Sequence, residues 1–212
     1  PDPLIECLLA QEDQSFFHHY GVDLKGIVRS AWINLREKRI VQGGSTITQQ
    51  LAKNLFFSQE RIWSRKIKET LASIYLENSK SKEQILELYM NSCYMGQAGS
   101  INVYGLKQGA WLYFQRTPDR LSWAECAMLV SILPAPNLYD PEKRPDMVKE
   151  KRDAVLKKAF EKSILDEEEY KAAIEEPIPA RKYPVTGTLD SVGDLVKWDL
   201  RNLFGDNELA VR

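Results

Sequence analysis

Residues 43–50 read Gly43-Gly44-Ser45-Thr46-Ile47-Thr48-Gln49-Gln50, and this stretch gives the first strong indication of the fold. Its two glycines predict a turn with free choice of φ and room for close approach. Thr46 and Gln49 have the spacing of a capping box, which predicts a helix start leading into the apolar run from Leu51 to Phe57. Capping leaves Ser45, Gln50 and Lys53 unexplained. Hydroxyls, amides and a lysine at a helix N-terminus suit sugar hydroxyls and phosphate oxygens, so a binding role is the alternative to a structural one.

Composition excludes several classes of protein. The 212 residues carry a net charge of −1, so no overall basic field points to nucleic acid. Three scattered cysteines suit neither a disulfide framework nor a zinc site, and the only histidines, His18 and His19, are adjacent. The chain begins Pro1-Asp2-Pro3 without methionine, which indicates a piece of a longer protein. No apolar run approaches the ~20 residues needed to cross a bilayer.

Helical periodicity runs through nearly the whole chain, and no useful strand alternation accompanies it, so we predict a mainly α fold. Beyond the helix after residue 46, we expect helices over residues 4–13, 24–36, 59–79, 81–91, 123–133, 146–164 and 166–175. Ser81 with Gln84 and Ser122 with Glu125 predict two further capping boxes. Residues 93–102 are expected to form a loop before a helix that ends at 113–114. Prolines in residues 176–187 predict a domain boundary near 176.

The first helix ends in an acid whose placement calls for explanation. Glu12 lies four residues after Leu8 and so continues the apolar face, where desolvation would raise its pKa toward that of a useful base. The macrodipole opposes an acid at this end of a helix. An exposed acidic helix end is the alternative interpretation.

Two further helices have distinct faces. In the helix over 59–79 we expect one apolar face to be buried, formed by Trp63, Ile67, Leu71 and Ile74. We expect four charged side chains to share a stripe on another face: Arg61, Arg65, Lys68 and Glu69. From spacing alone, the stripe is most simply a solvated face. The helix over 24–36 carries Trp32 on its apolar side and bases around it. It is either a core helix, the default for such a segment, or a helix at a membrane surface.

Five motifs, in order, resemble those of the peptidoglycan glycosyltransferases, glycosyltransferase family 51. Residues 12–21, Glu-Asp-Gln-Ser-Phe-Phe-His-His-Tyr-Gly, are similar to the first motif, and residues 43–50 to the second. Residues 65–69, Arg-Lys-Ile-Lys-Glu, match the third motif, and residues 82–91 match the fourth. Residues 127–136 resemble the fifth, an apolar helix that ends in a Pro-x-Pro loop.

The resemblance implies a lysozyme-like helical fold of two lobes, a globular head and a small membrane-associated jaw. The glycosyltransferase domain would span residues 1–176, with the jaw at about 22–42, which reverses the default of a core helix over 24–36. Residues 177–212 would be a linker and the start of a connector, such as follows this domain in class A penicillin-binding proteins. The implied location is the extracytoplasmic face of a bacterial cell membrane. The implied partners are lipid II, the growing lipid-linked glycan, the membrane surface and cell-wall synthesis proteins.

The resemblance also implies an inverting hexosyltransferase. In this family the 4-hydroxyl of an acceptor GlcNAc attacks the anomeric carbon of a donor MurNAc on undecaprenyl pyrophosphate, giving a β-1,4 glycan. Glu12 is then the base for the hydroxyl proton, and Glu69 orients basic side chains or a phosphate-bound cation. The anionic leaving group needs positive charge more than a proton. The other expected site residues bind substrate or support the geometry around Glu12; they are Asp13, Ser45, Gln49, Gln50, Lys53, Arg61, Arg65, Lys68 and Asn91, with Lys66 as a further cation.

Two other functions stay open, a lysozyme-like lytic muramidase and a non-catalytic glycan-binding helical module. A glycosidase typically protonates its leaving group with a second carboxylic acid and has little use for clustered bases, so the bases around Glu69 favour a transferase. We expect no required cofactor. Some members of the family use Mg²⁺ or Mn²⁺ at the donor pyrophosphate, but this sequence has no dedicated ligand set, and its basic residues could replace the cation.

Overall fold

The computed structural model describes residues 2–38, 43–57 and 63–179, and within these ranges the chain is mainly helical. The predicted mainly α fold is therefore confirmed. The helices are α1 Pro3–Glu12, α2 Leu24–Arg36, α3 Ile47–Phe56, α4 Trp63–Ser79, α5 Lys82–Ser92, α6 Leu106–Phe114, α7 Trp123–Ile132, α8 Pro145–Glu161 and α9 Glu167–Glu175. The strands are β1 Tyr94–Ala98 and β2 Ile101–Tyr104, and single 3₁₀ turns lie at Phe16–His18 and Pro118–Arg120.

The chain divides into two compact units. Of the described residues, the first unit holds 2–12 and 93–179, which form α1, the β-hairpin and α6 to α9. The second unit holds residues 13–38, 43–57 and 63–92, which form α2 to α5. Glu12 thus belongs to the first unit, and the other predicted site residues that the structure describes belong to the second.

Helix α7 is the centre of the first unit. It is apolar on nearly every side, and all its residues except Trp123 and Glu125 are buried. A helix of this kind must be covered on all sides, and α1, α6, α8 and α9 pack against it. The predicted capping box of Ser122 and Glu125 begins this helix, and a further box of Asp166 and Glu169 begins α9.

A buried arginine of α8 holds the last turn of α9 and the residue that follows it. The guanidinium of Arg152 donates to the carbonyl of Ile174 at 3.0 Å and to the carbonyl of Glu176, and it pairs with Asp153 at 2.7 Å. The Oγ of Ser122 donates to the carboxylate of Glu176 at 2.8 Å. A buried guanidinium needs several acceptors for its N–H groups, and these carbonyls supply them. Residues 174–176 are therefore fastened to the first unit.

The expected loop over residues 93–102 is wrong, because this segment is part of an antiparallel β-hairpin. Ala98 pairs with Ile101 across the turn, and Gly96 lies at an irregularity in the register with φ of 108°. The strands are short and β1 is interrupted by Gly96, so their alternation is too brief to recognise in the sequence. Burial of Met95 and Val103 against α6 supplies the missing stability. The helix that follows ends at Phe114, as predicted.

In the second unit, α3, α4 and α5 pack together around buried apolar residues of all three helices. Gly21 allows the chain before α2 to touch α4. Its φ is 83°, and a Cβ at this position would lie 2.9 Å from the carbonyl carbon of Ser73. The carbonyl of Gly21 also accepts a hydrogen bond from the hydroxyl of Thr46 at 2.7 Å. Any side chain at residue 21 would push these segments apart.

The predicted burial of the apolar face of α4 is wrong. Ile67 and Leu71 are 65% and 63% exposed, and Ile74 is also exposed, whereas Glu69 and Ser73 are buried. The buried polar groups have internal partners, since Glu69 faces two cations and Ser73 donates to the carbonyl of Thr70. Periodicity alone assigns the apolar face to the core, and it fails where inward polar groups are satisfied. The side chain of Trp63 lies outside the described part of the chain.

Helix α2 leaves its apolar face uncovered. Leu24, Val28, Trp32 and Leu35 are all exposed, and the guanidinium of Arg36 lies 5.7 Å from the Trp32 ring. A core helix is therefore excluded for this segment. Within residues 2–38, 43–57 and 63–179, no helix combines the length and apolarity that crossing a bilayer requires.

Candidate active site

Glu12 is the last residue of α1, and its side chain is half-buried. This agrees with the predicted position at the end of an apolar helix. The last turn of α1 carries no basic residue of its own.

Asp13 joins the first and second motifs. Its side chain is buried, and its Oδ2 accepts a hydrogen bond from the backbone N–H of Ile47 at 2.9 Å. The same oxygen lies 2.9 Å from Nε2 of His19, whose ring is also buried. His19 thus hydrogen-bonds within the first motif. Asp13 is placed to fix the backbone after Glu12 and the start of α3.

The start of α3 is the predicted capping box. The hydroxyl of Thr46 accepts from the N–H of Gln49 at 3.1 Å, and Oε1 of Gln49 accepts from the N–H of Thr46 at 3.2 Å. The amide nitrogen of Gln49 donates to Thr70 at 3.3 Å, and the residue is only 2% exposed. The side chain of Gln49 therefore supports the helix start and α4, and its predicted contact with substrate remains a prediction.

The glycines before α3 act differently from the expectation. The described glycines that have a positive φ lie at other positions in the chain. Gly43 and Gly44 therefore do not use the free choice of φ that we expected of them. The close approach is present at Gly44, where a Cβ would lie 3.3 Å from the Cα of Ile27. The carbonyl of Gly43 accepts a hydrogen bond from Ser30 at 3.1 Å. These glycines fit the second motif against α2.

A cluster of charges connects the second and third motifs. Nζ of Lys66 donates to Oγ of Ser45 at 2.9 Å and lies 3.3 Å from Oε2 of Glu69. Nε of Arg65 lies 2.9 Å from Oε1 of Glu69. The Arg65 contact is an ion pair without hydrogen-bond alignment, since neither of its two atoms has a hydrogen-bond partner. We call Ser45, Arg65, Lys66 and Glu69 the cationic cluster.

The other predicted ligands lie around this part of the second unit. Oε1 of Gln50 accepts from the hydroxyl of Tyr89 at 2.9 Å, which joins α3 to α5. Lys53 is exposed on the last turn of α3, Lys68 is exposed on α4, and Asn91 is half-buried near the end of α5. Arg61 lies outside the described residues.

A second polar network escaped the sequence-based prediction. Glu77 accepts from the hydroxyl of Thr48 at 2.6 Å and pairs with Lys82 at 2.7 Å, and the Lys82 ammonium lies 4.5 Å from the centroid of the Phe16 ring. Thr48, Lys82 and Phe16 belong to the second, fourth and first motifs. Because these three residues belong to three motifs, the sequence could have indicated that they share a function. No spacing in the sequence connects any of them to Glu77. The contact between Lys66 and Glu69 could have been predicted more simply, because Lys66 lies three residues before Glu69 on the same helix.

The donors of the cationic cluster favour an anion over a divalent cation. Both oxygens of the buried Glu69 face cationic side chains, whereas Mg²⁺ and Mn²⁺ require several oxygen ligands. In the described ranges, no group of three or more His, Cys, Asp or Glu side chains could hold a metal ion. The absence of a required cofactor remains a prediction.

Comparisons with known proteins identify the class. The family model described as Transglycosylase matches residues 1–160. Penicillin-binding protein 1A of Aquifex aeolicus is 40% identical over 206 residues, which cover 97% of this chain and 28% of that protein. Penicillin-binding protein 1B of Escherichia coli is 37% identical over 207 residues, which cover 97% of this chain and 24% of that protein. The crystal structure of penicillin-binding protein 1A from Haemophilus influenzae matches 74% of this chain and 20% of that one, with 25% identity and a TM-score of 0.45.

The family model covers most of the chain, so the chain belongs to the transglycosylase family. More particularly, it is a transglycosylase domain of the kind found in penicillin-binding proteins 1A and 1B. The chain spans about a quarter of the length of these relatives. The sequence-based identification as a peptidoglycan glycosyltransferase is confirmed, whereas the roles of individual residues remain predictions.

Proposed function

We propose that the protein polymerises lipid II into β-1,4-linked glycan. The 4-hydroxyl of the acceptor GlcNAc attacks the anomeric carbon of the donor MurNAc, the bond to undecaprenyl pyrophosphate breaks, and the configuration inverts. The hydroxyl proton passes to Glu12, and the pyrophosphate leaves as an anion. The reaction therefore requires one base and a source of positive charge at the leaving group, and it needs no carboxylic acid to protonate that group.

The cationic cluster is the observation that carries this proposal. Two cations converge on the buried Glu69, and one of them reaches Ser45 beside the capped start of α3. A carboxylate held between two cations orients their side chains. Lys66 is exposed and Arg65 is half-buried, so both can turn toward phosphate oxygens. Such a cluster suits a pyrophosphate leaving group better than the alkoxide of a glycosidase.

The remaining roles are those that the family resemblance implies. Lys53, Arg61 and Lys68 add positive charge at the donor, and Gln50 and Asn91 bind polar groups of the sugars or the peptide. Gln49 contributes through the helix start that it caps, in addition to its proposed place among the ligands. Asp13 keeps the segment after Glu12 in position through its bond to Ile47.

The lysozyme-like arrangement of head and jaw is part of the same proposal. The jaw includes α2, whose exposed apolar face and flanking bases suit the boundary between headgroups and acyl chains. The protein would then work at the extracytoplasmic face of a bacterial membrane, where its lipid-linked substrate lies. The domain boundary near residue 176 completes the proposal, since α9 ends at Glu175.

The test uses the full-length protein with purified lipid II and, separately, with purified cell-wall glycan. We expect lipid II to be converted into long chains that a muramidase specific for β-1,4 linkages digests. Release of soluble sugar fragments from the finished glycan, with lipid II unchanged, would instead assign a lytic muramidase. Binding of either substrate without turnover would assign a glycan-binding module.

A further inference from the structure

A buried carboxylate that lies outside the five motifs joins residues of two of them. The side chain of Glu77 on α4 is only 4% exposed, and its Oε1 accepts from the hydroxyl of Thr48 at 2.6 Å and from Nζ of Lys82 at 2.7 Å. Burial of a carboxylate is costly unless its charge is compensated and its oxygens have donors. Glu77 therefore holds the hydroxyl from α3 and the ammonium from the start of α5 at one point.

The same ammonium covers an aromatic ring of the first motif. Nζ of Lys82 lies 4.5 Å from the centroid of the Phe16 ring, and Phe16 is 1% exposed. The face of an aromatic ring attracts a cation at this distance. The side chain of Lys82 is 17% exposed, and a lysine has a long, flexible stem, so the ammonium could turn into water if no anion held it. The Glu77 carboxylate keeps this cation against Phe16.

These contacts form part of a closed circuit within the second unit. The Phe16 ring packs edge-on against the His19 ring, with 6.2 Å between centroids. His19 lies 2.9 Å from the Asp13 carboxylate, and the same oxygen accepts from the N–H of Ile47. The circuit thus begins and ends at adjacent residues of α3, and its members in order are Ile47, Asp13, His19, Phe16, Lys82, Glu77 and Thr48. The segment after Glu12 cannot shift against α3 without breaking one of these contacts.

We propose that Glu77 is a positioning residue for the transfer reaction: it holds Lys82 against Phe16 and fixes Thr48, so that the segment following the base keeps one position against the start of α3. This inference rests on the proposed function, in which Glu12 is the base and the second motif binds the donor. A base must lie within hydrogen-bond reach of the proton that it takes, and a misplacement of about 1 Å can slow a reaction by about two orders of magnitude.

The position of Glu77 separates this role from binding of the pyrophosphate. Glu77 follows Glu69 by eight residues on the same helix, which is about 12 Å along the helix axis. None of the printed contacts of Glu77 is with the cationic cluster. Loss of its charge should therefore impair the chemical step and leave the charges that face the leaving group in place.

The test compares full-length Glu77→Gln with the wild-type protein. Glutamine keeps the shape and an oxygen for Thr48, but it removes the charge that holds Lys82. We expect kcat with saturating lipid II to fall about tenfold, and the affinity for moenomycin to stay within about twofold of the wild-type value. Rates are measured well below the unfolding temperature of every variant, so that lower stability alone does not reduce kcat. An unchanged kcat, or equal losses of kcat and affinity, would overturn the proposal.

Changes at Lys82 test the same path without altering Glu77. Lys82→Arg keeps a cation that can pair with Glu77 and stack on Phe16, so it should retain kcat, whereas Lys82→Gln should lose as much as Glu77→Gln does. The double variant Glu77→Gln/Lys82→Gln should lose no more than either single variant, because the two residues act as a unit. Losses that multiply in the double variant would contradict this.

Glu83→Gln is the matched control, because Glu83 is an exposed carboxylate directly after Lys82 on α5. It makes the same chemical change as Glu77→Gln and should leave kcat at the wild-type value. A loss of kcat in Glu83→Gln equal to that in Glu77→Gln would assign the effect to general charge and reject Glu77.

A second readout does not depend on turnover. Hydrogen–deuterium exchange, read at single residues by mass spectrometry, reports whether the N–H of Ile47 keeps its acceptor. In Glu77→Gln we expect this N–H to exchange at least about tenfold faster, while the N–H of Tyr89, a buried residue of α5, keeps its rate. Equal acceleration at both would show a general loosening of the second unit and reject the positioning role, as would unchanged exchange at Ile47.

The two readouts also separate this inference from the proposed function. If the wild-type protein failed to polymerise lipid II while Glu77→Gln showed the faster exchange at Ile47, the proposed function would fail and the circuit would stand. Normal polymerisation by both proteins would reject Glu77 as a positioning residue and leave the proposed function intact.

Discussion

The carboxylate of Asp13 accepts a hydrogen bond from the backbone N–H of Ile47, with 2.9 Å between Oδ2 and N. Ile47 is the first residue of α3, so an acid from the first motif caps a helix that the second motif begins. The first N–H groups of a helix have no acceptor within the helix, so these groups and the macrodipole both favour negative charge at the helix N-terminus. Asp13→Asn should therefore lower the free energy of unfolding by about 1–2 kcal/mol, measured by urea denaturation. Asp119→Asn, at an exposed carboxylate, should leave it unchanged; equal values for both variants would contradict this role of Asp13.

Glu12→Gln should abolish glycan formation from lipid II and leave the fold intact. The amide has nearly the same shape but cannot accept the hydroxyl proton, so the loss should reach at least about two orders of magnitude. Polymerisation is followed with labelled lipid II, and folding by circular dichroism. Glu6→Gln, in the first turn of the same helix, is the matched control and should retain activity. Substantial turnover by folded Glu12→Gln protein would remove Glu12 from the role of base.

Charge removal at Lys53 and Lys68 should weaken binding of the donor. Each exposed ammonium is expected to contribute a charge-assisted contact to the pyrophosphate, so Lys53→Met and Lys68→Met should each lower affinity about tenfold. The measurement is calorimetric titration with moenomycin, a phosphoglycerate-bearing mimic of the donor. Lys107→Met, an exposed lysine of the first unit, should bind as the wild type does. Unaltered affinity in both test variants would place the pyrophosphate elsewhere.

Asp23 should make stability depend on pH at the start of α2. Desolvation raises the pKa of Asp23, but hydrogen bonds from Ser15 and the N–H of Gly26 outweigh it and leave the pKa below the ordinary value of 3.8. A lowered carboxyl pKa adds stability at neutral pH, which is lost as the pH falls below about 4 through the folded-state value.

Asp23→Ala should therefore cost about 1 kcal/mol at pH 7, because it removes the N-cap of α2. Asp23→Asn keeps a capping oxygen without the titration, so it should flatten the acidic part of the stability curve. Denaturant unfolding between pH 2 and pH 7 measures both effects. If Asp23→Asn and the wild type lost stability over the same acidic pH range, the Asp23 carboxyl would not be the source of this pH dependence.

The exposed face of α2 should bind lipid. Trp32→Ser and Leu35→Ser each remove a large apolar side chain from that face, so each should weaken partitioning into phosphatidylglycerol vesicles by at least about tenfold. Vesicle sedimentation measures the binding. Trp111→Ser removes an exposed tryptophan from α6 in the first unit and serves as the control. Equal losses in all three variants would indicate non-specific adsorption.

Sequence reasoning worked best where a rule is local. The capping boxes predicted at Thr46, Ser81 and Ser122 are all present, because each depends on residues three apart. The bounds of α2 and the apolar centre at α7 follow from hydrophobic patterns within one segment. The family motifs, in turn, placed Glu69 among basic residues.

Sequence reasoning failed where a partner lies far along the chain. The β-hairpin is stabilised by α6, and its two short strands carry no sufficient pattern of their own. The inward face of α4 could not be found from periodicity, because Glu69 and Ser73 are buried with partners that satisfy them. The contacts of Asp13 with Ile47 and of Thr48 with Glu77 span 34 and 29 residues, and nothing local encodes them.

The Arg152 contacts described above have a mechanical consequence. Tension applied to the chain beyond residue 176 would first meet the bonds from Arg152 and Ser122, so the pull would pass into α7 and α8 before it could unwind α9. A force on that end would thus act on the buried centre of the first unit, where α7 lies, and less of it would reach the backbone hydrogen bonds of α9.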